Sequence, residues 1–210
     1  MRITQNRVSL FILPLKGGEI LEKRTSYRES NFKTNEDNEK LYIEGYFIKY
    51  NSETNLFGDI YEEIDKGSVD KSLKENDIRG LWNHDSGLVL GRTGNNTLEL
   101  RSDDVGLYGK IEINREDPQA MGAYARVKRG DVAGCSFGFY PIKEDFEERA
   151  EGGQKFIVRE MDLFEVSAVT FPAYPQTEIA ARSKEIEQIK KRQLDAKKQE
   201  IRKRLEEFKK

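Results

Sequence analysis

Three residues of this 210-residue chain have side chains that suit proton transfer and nucleophilic attack. His84, its single histidine, lies in the run Leu-Trp-Asn-His-Asp. Ser136 lies in Gly-Cys-Ser-Phe-Gly-Phe, and Glu165 in Leu-Phe-Glu-Val-Ser-Ala-Val. A base, a nucleophile and a carboxylate are the parts of a serine-hydrolase triad. With one imidazole in the chain, any imidazole acid–base chemistry near neutral pH must use His84.

Each of the three also has a purely structural interpretation. Taken alone, His84 is more typical of a hydrogen-bonded loop histidine at the end of a strand. Its neighbour Asp85 would point to the opposite face of a strand, which makes it a poor partner for the imidazole. The sequence therefore gives His84 a role only in combination with other residues.

Ser136 is flanked by two glycines that set it apart from an ordinary packing serine. Gly134 and Gly138 let the backbone approach another group closely or adopt a positive φ, and an exposed nucleophile beside free backbone N–H groups needs such freedom. The Gly-x-Ser-x-Gly pattern is also the nucleophile elbow of α/β-hydrolases, but the strand-turn-helix context is missing here. Cys135 is a rival nucleophile, and only one of these two neighbours can lie beside His84.

Glu165 interrupts an otherwise apolar strand pattern. With two-residue periodicity it shares a face with Leu163 and Ser167. A carboxylate at such a position is either exposed at a sheet edge or paired. In the functional interpretation it holds the imidazole in the correct tautomer, and Asp162, on the opposite face, is the reserve candidate.

Short strands must position these residues. Aromatic and β-branched runs between turn residues predict about seven strands, distributed over residues 41–50, 59–64, 78–84, 88–93, 97–101, 106–113, 132–142 and 155–171. One internal helix is predicted with Asp117 as N-cap, Pro118 at its first position and Gly130 as its end. A second short helix is predicted to start within residues 67–73, with Ser68 as its N-cap. The fold class is therefore β-rich (α+β), a barrel or sandwich with few helices.

The two ends of the chain differ from this middle part. Residues 1–40 are predicted to be a flexible or mis-started segment. Residues 22–40 are polar, which favours flexibility. Lys16 to Glu19 is the sequence that a translated purine-rich ribosome-binding site would give, and the true start would then lie near Leu21. Residues 41–181 form the expected domain. Residues 182–210 predict a charged amphipathic helical arm, since apolar residues recur every seven positions at Leu194, Ile201 and Phe208.

Composition excludes several function classes. Lys and Arg total 36 against 38 Asp and Glu, so no global basic field favours nucleic acid. One histidine and one cysteine do not supply the usual zinc ligands, and no phosphate-binding loop or dinucleotide fingerprint is present. No cofactor or metal is expected. The apolar run from Val8 to Leu15 is too short to span a bilayer, and the lone Cys135 favours a reducing compartment, so a cytoplasmic protein is expected.

The ordered motifs resemble the prohead (capsid-maturation) serine proteases of tailed bacteriophages, which are distantly similar to the herpesvirus capsid assembly protease. The matching runs are Leu-Trp-Asn-His-Asp from Leu81, Gly-Asp-Val-Ala-Gly-Cys-Ser-Phe-Gly-Phe from Gly130, Leu-Phe-Glu-Val-Ser-Ala-Val-Thr-Phe-Pro-Ala-Tyr-Pro from Leu163, and Ile-Glu-Gly-Tyr from Ile43. The resemblance covers residues 41 to 181.

The resemblance implies a closed, mostly antiparallel β-barrel flanked by a few helices. It implies a serine endopeptidase with His84 as base, Ser136 as nucleophile and Glu165 as third member, and it directs attention to the backbone N–H groups of Phe137 and Gly138 as oxyanion donors. The implied substrates are scaffold and major capsid protein segments, and the protease itself, inside the immature capsid in the host cytoplasm. Self-association is a further expectation, and neither a membrane nor a specific nucleic acid is expected as partner. A non-enzymatic capsid-assembly module of the same fold is the alternative.

Overall fold

The computed structural model describes residues 23–29, 32–37, 40–171, 198 and 201. Within these ranges the chain forms eleven strands, two α-helices and one 3-10 turn. The strands are β1 (Arg24–Glu29), β2 (Lys33–Asp37), β3 (Lys40–Lys49), β4 (Thr54–Phe57), β5 (Ile60–Ile64), β6 (Arg79–Trp82), β7 (Asp85–Arg92), β8 (Leu98–Ser102), β9 (Gly106–Ile113), β10 (Gly134–Glu148) and β11 (Gln154–Val169). The helices are α1 (Asp70–Glu75) and α2 (Pro118–Arg129), and the 3-10 turn spans Thr93–Asn95.

The described strands pair into two sheets. A seven-stranded sheet runs in the order β1-β10-β11-β5-β4, and β6 and β7 extend it from the edge of β11. A four-stranded sheet has the order β2-β3-β9-β8 and is antiparallel throughout. The first sheet is mixed, because β11 pairs in parallel with both β5 and β6.

The long strand β11 brings distant parts of the chain together. It is 16 residues long and forms an antiparallel hairpin with β10 along one edge. Along its other edge, the first part of β11 pairs with β5 and its last part with β6. The segment before His84 and the segment containing Ser136 therefore lie on opposite sides of the part of β11 that carries Glu165.

A single hydrophobic cluster draws residues from both sheets and from α2. Strand β3 alternates between buried and partly exposed positions, as expected for a strand with one face in the core. Its inward residues include Ile43 and Phe47, which are fully buried. From the other sheet, Phe137 and Leu163 enter the same cluster. Burial of these side chains is the main source of stability for an assembly of short strands.

The helix predicted from local signals is confirmed. Helix α2 begins after Asp117, whose side chain accepts a hydrogen bond from the Gln119 N–H, and it has Pro118 in its first turn. It ends at Gly130, which has a φ of 85°. The short helix near residue 68 is present as α1, but its N-cap is Val69 without a side-chain cap, so the assignment of Ser68 as its N-cap is wrong.

The β-rich class with few helices is confirmed, and within residues 22–40, predicted as a lead-in, the structure describes two strands. Strands β1 and β2 lie there because β10 and β3, far along the chain, supply their hydrogen-bonding partners. The pairing of the described strands gives two sheets, and the closed barrel stays a prediction. Residues 1–22 lie outside the described residues.

The chain divides into two units, Met1–Ala173 and Tyr174–Lys210. In the second unit the structure describes Lys198 and Ile201, both helical and exposed. The rest of the predicted amphipathic arm, including Leu194 and Phe208, lies outside the described residues, as does the proposed boundary at residue 181.

Candidate active site

His84 lies in a tight turn between β6 and β7. Asn83 and His84 both adopt left-handed backbone conformations, with φ of 52° and 60°. Asparagine tolerates this region, whereas for most other residues it costs on the order of 1 kcal/mol. The turn is held to the end of β11, because the Asn83 N–H donates to the Ala168 carbonyl at 2.9 Å and the Thr170 N–H donates to Asn83 Oδ1 at 2.8 Å. The imidazole is thus presented by a strained turn that neighbouring strands fix in place.

Glu165 and His84 form the central contact of the site. The Glu165 side chain is buried in β11, and its Oε1 lies 2.6 Å from His84 Nδ1. When Nδ1 donates its proton to a carboxylate, the neutral imidazole keeps a lone pair on Nε2 and can accept a proton there. His84 Nε2 is buried and has no hydrogen-bond partner among the residues that the structure describes. The pair therefore has the geometry of an oriented base.

Gly138 leaves the space that the Glu165 carboxylate occupies. The two residues face each other across β10 and β11. A Cβ atom on Gly138 would lie 2.5 Å from Glu165 Oε1 and 2.7 Å from the Phe164 ring. The glycine is needed here for close approach, which is one of the two uses predicted from its position beside Ser136.

Ser136 lies on the same face of the sheet as Glu165. In β10 it is directly opposite Ser167, as Gly138 is opposite Glu165, and residues two apart in a strand share a face. Ser136 is fully buried, and its Oγ donates to the backbone carbonyl of Ser26 in β1 at 2.8 Å. The structure thus places Ser136 on the sheet face of Glu165 and directly opposite Ser167, with its hydroxyl turned to β1.

Strand β1 covers β10 along its free edge. It pairs with β10 from Gly134 to Phe139. Two side-chain contacts fix it there, since the Ser26 hydroxyl donates to buried Glu62 at 2.7 Å and Arg24 forms an ion pair with Glu144. Ser136, in the part of β10 that pairs with β1, is fully buried.

The backbone groups suggested for an oxyanion site belong to the same part of β10. Phe137 and Gly138 have a strand on each side, with Ser26 and Thr25 as their partners in β1 and Val166 and Glu165 in β11. In a sheet the N–H groups of an inner strand point to its neighbours.

The rival residues have other partners. Cys135 points to the opposite side, into the hydrophobic core, where its Sγ lies 3.4 Å from the Phe47 carbonyl oxygen. Asp162 accepts a hydrogen bond from the Asn76 side chain at 2.6 Å, just beyond α1. Asp85 Oδ1 accepts from the Gly87 N–H at 2.8 Å, which closes the turn into β7. Of the two candidate nucleophiles, Ser136 is the one on the face of Glu165.

Two residues at the site were not proposed from the sequence, Ser26 and Ser167. Ser167 is fully buried, and its Oγ donates to Glu165 Oε2 at 2.6 Å and accepts from the His84 backbone N–H at 3.3 Å. The two-residue spacing from Glu165 put Ser167 on the correct face and was a signal that it belonged to the site. Ser26 lies in the polar segment interpreted as a lead-in, and its local sequence carried no such signal.

Among the described residues, no three His, Cys, Asp or Glu side chains are grouped so as to hold a metal ion. No described helix is long and apolar enough to cross a membrane.

The fold is β-rich, and the site brings a histidine–carboxylate pair to the sheet face that carries a serine, the three groups that serine hydrolases use. The chain belongs to the caudovirus prohead serine protease family, whose model matches residues 28–192.

Two individual phage proteins are similar to this chain. The prohead protease of Enterobacteria phage HK97 is 29% identical over 162 residues, which cover 76% of this chain and 68% of that protein. The solved structure of the bacteriophage T4 capsid assembly protease covers 70% of this chain and 98% of its own, with 16% sequence identity and a TM-score of 0.46.

Proposed function

We propose that this protein is a serine endopeptidase that cleaves scaffold and capsid-protein segments during phage prohead maturation. The family supports a serine protease of capsid maturation. The single observation that carries the residue assignment is the 2.6 Å contact between the only imidazole of the chain and the buried Glu165 carboxylate. A buried carboxylate on Nδ1 is the arrangement that makes Nε2 a base.

In the proposed reaction, Ser136 Oγ attacks a peptide carbonyl while His84 Nε2 takes its proton. A C–O bond forms as the C–N bond breaks, and His84 returns the proton to the leaving amine. Water, activated by the same imidazole, then hydrolyses the acyl-enzyme. Glu165 keeps the imidazole in the Nδ1–H tautomer, and the Phe137 and Gly138 N–H groups are the first candidates to bind the oxyanion.

The reaction requires Ser136 to change its hydrogen-bond partner. Its hydroxyl donates to the Ser26 carbonyl in this arrangement and must turn toward His84 Nε2 before attack. Rotation between staggered side-chain wells is fast and needs no backbone change. Substrate access requires more, because Ser136 is fully buried and its hydroxyl is bonded to β1. We therefore propose that the described arrangement precedes the active one and that β1 moves from β10 on activation.

The remaining features follow the family. The proposed location is inside the immature capsid in the host cytoplasm, with major capsid protein, scaffold segments and the protease itself as substrates. Closure of the two sheets into a barrel and self-association belong to the same proposal. The polar N-terminal residues and the arm over 182–210 are the proposed self-cleavage sites, and the arm is alternatively a scaffold-binding element.

The test is the intact mass of the protein co-expressed with its capsid or scaffold partner. Wild type is expected to give discrete shortened products that are absent from Ser136→Ala. Cys135→Ala is the matched control, because Cys135 is the adjacent candidate nucleophile but lies in the core, and it should cleave as wild type does. Cleavage retained in Ser136→Ala would refute the assignment.

One observation favours a second function, a non-enzymatic capsid-assembly module. The Ser136 hydroxyl is buried and bonded to a backbone carbonyl, as that of a packing serine would be. A fluorophosphonate probe applied to assembled shells separates the two functions, because it modifies an activated serine and not a packing one. Labelling that is absent from shells, together with uncut masses, would favour the assembly module.

A further inference from the structure

The hydroxyl of Ser167 links the two parts of the His84–Glu165 pair. It donates to Glu165 Oε2 at 2.6 Å and accepts from the His84 backbone N–H at 3.3 Å. The other oxygen of the same carboxylate, Oε1, faces His84 Nδ1. The Ser167 hydroxyl therefore contacts both the Glu165 carboxylate and the backbone of His84, whose imidazole that carboxylate orients. We propose that Ser167 is a positioning residue that fixes Glu165 against the imidazole of His84, an inference that rests on the proposed function.

The contribution of Ser167 follows from the freedom of a glutamate side chain. The terminal torsion of a glutamate is broad, so a single hydrogen bond at Oε1 leaves the carboxylate plane free to turn. A second hydrogen bond at Oε2 fixes that plane, and the backbone of Gly138 closes the space on the β10 side. A hydrogen bond to a carboxylate is also stronger than one between neutral groups. Ser167 therefore keeps Oε1 directed at Nδ1.

The second contact sets the position of the imidazole itself. The His84 backbone is in a left-handed conformation with a φ of 60°, which is not its preferred state. Its N–H is the point at which the turn meets Ser167. By accepting this hydrogen bond, Ser167 fixes the distance between the strained turn and β11, and thus between the imidazole and Glu165.

Ser167 is not itself a second nucleophile. Its proton is used by Glu165 and its lone pair by the His84 N–H. Ser136, directly opposite in β10, has its hydroxyl on a backbone carbonyl instead and can give up that partner without disturbing the carboxylate. The two facing serines thus have different roles, one that reacts and one that positions.

The test uses the single histidine as a reporter in the full-length protein. In wild type, ¹⁵N NMR of the neutral imidazole should show the Nδ1–H tautomer, with a downfield Nδ1 proton from the short hydrogen bond to Glu165. Ser167→Ala should broaden or shift that proton and raise the share of the Nε2–H tautomer. The same tautomer and the same proton resonance in a folded Ser167→Ala protein would overturn the proposal.

Ser72, in α1, supplies a matched control that contacts the same strand, β11. It is a buried serine whose hydroxyl accepts from the Leu163 N–H at 2.9 Å and donates to the Met161 carbonyl at 2.7 Å. Ser72→Ala removes an equivalent pair of hydrogen bonds without touching Glu165, and should leave the His84 spectrum unchanged. If Ser167→Ala does not fold, Ser167→Cys keeps the shape with a weaker donor and should show the same change in tautomer.

Labelling by a fluorophosphonate probe in assembled shells gives the second readout. Relative to wild type, Ser167→Ala should label Ser136 at least about tenfold more slowly, since orientation of the base contributes to general base catalysis. Ser72→Ala should stay within about twofold of wild type, on the same reasoning. Equal labelling of wild type and Ser167→Ala would overturn the positioning role while leaving the protease assignment intact. Absence of labelling in wild type would count against the protease assignment, and the NMR comparison would still decide the role of Ser167.

Discussion

Substitution of Gly138 by alanine should disturb the site through a steric contact whose size is known. The added Cβ would lie 2.5 Å from Glu165 Oε1, whereas ordinary contacts begin at 3.4 Å. The carboxylate is the group that must move, because the new Cβ is attached to the backbone of β10, which is paired with β1 on one side and β11 on the other. The separation that the added Cβ needs, roughly 0.9 Å, is large beside the 2.6 Å Nδ1···Oε1 contact, so the carboxylate and the imidazole cannot keep their present hydrogen-bond geometry.

Two consequences of this displacement are measurable. Crowding in a packed interior costs about 1–3 kcal/mol, so the free energy of unfolding should fall by that amount. Urea titration followed by the fluorescence of Trp82, the only tryptophan, measures this change. The rate of fluorophosphonate labelling at Ser136 should fall by about tenfold or more, because the base loses its orientation.

Gly109 provides the control for crowding alone. A Cβ there would lie 2.6 and 2.7 Å from atoms of the Phe47 ring, in the four-stranded sheet and without contact to the site. Gly109→Ala should lose a similar free energy of unfolding and keep its labelling rate while folded. The reasoning would be refuted if Gly138→Ala unfolded at the wild-type midpoint and labelled at the wild-type rate.

Three further substitutions have separate physical causes. Glu165→Gln keeps the side-chain shape but removes the charge beside His84, so folding should be retained while probe labelling falls by about a hundredfold. Asp117→Ala removes the side-chain cap of α2 and should lower the free energy of unfolding by about 1 kcal/mol in a urea titration. The hydrogen bond from Arg92 lowers the pKa of Asp77 below its ordinary value of 3.8. The ionised carboxylate therefore stabilises the fold above pH 3.8, and this stabilisation is lost as the pH falls through the lower pKa of the folded state. Asp77→Asn should therefore have a lower urea midpoint than wild type at pH 7, and the difference should decrease progressively in titrations at pH values below 3.8.

Local signals in the sequence identified those elements whose structure is decided locally. Helix α2 begins after Asp117 and ends at Gly130, as their residue types predicted, because caps act within a single turn. The alternation of strand residues also put Glu165 and Ser167 on one face. These relations hold for any chain with the same local pattern.

Local sequence patterns did not predict the contacts between segments that are distant in the chain. Strand β1 has a polar sequence that indicates a loop, and it is a strand because β10 offers it an edge more than a hundred residues later in the chain. The turn at His84 likewise reaches Glu165 because β6 pairs in parallel with β11, a register that no local pattern specifies. The orientation of the Ser136 hydroxyl depends on the same β1 pairing.

Because Glu165 lies late in the chain, the site cannot form during synthesis until β11 has been made. His84 is synthesised first, but its partner Glu165 and the register of β6 are supplied by β11, which ends at Val169. Translation at roughly 5–20 residues per second leaves an interval of several seconds between the two. A nascent chain therefore emerges with its histidine unpaired and its serine unpositioned, and the proposed chemistry starts only on a nearly complete domain. A truncated chain that ends before β11 is accordingly expected to be inert toward its neighbours, whatever its concentration.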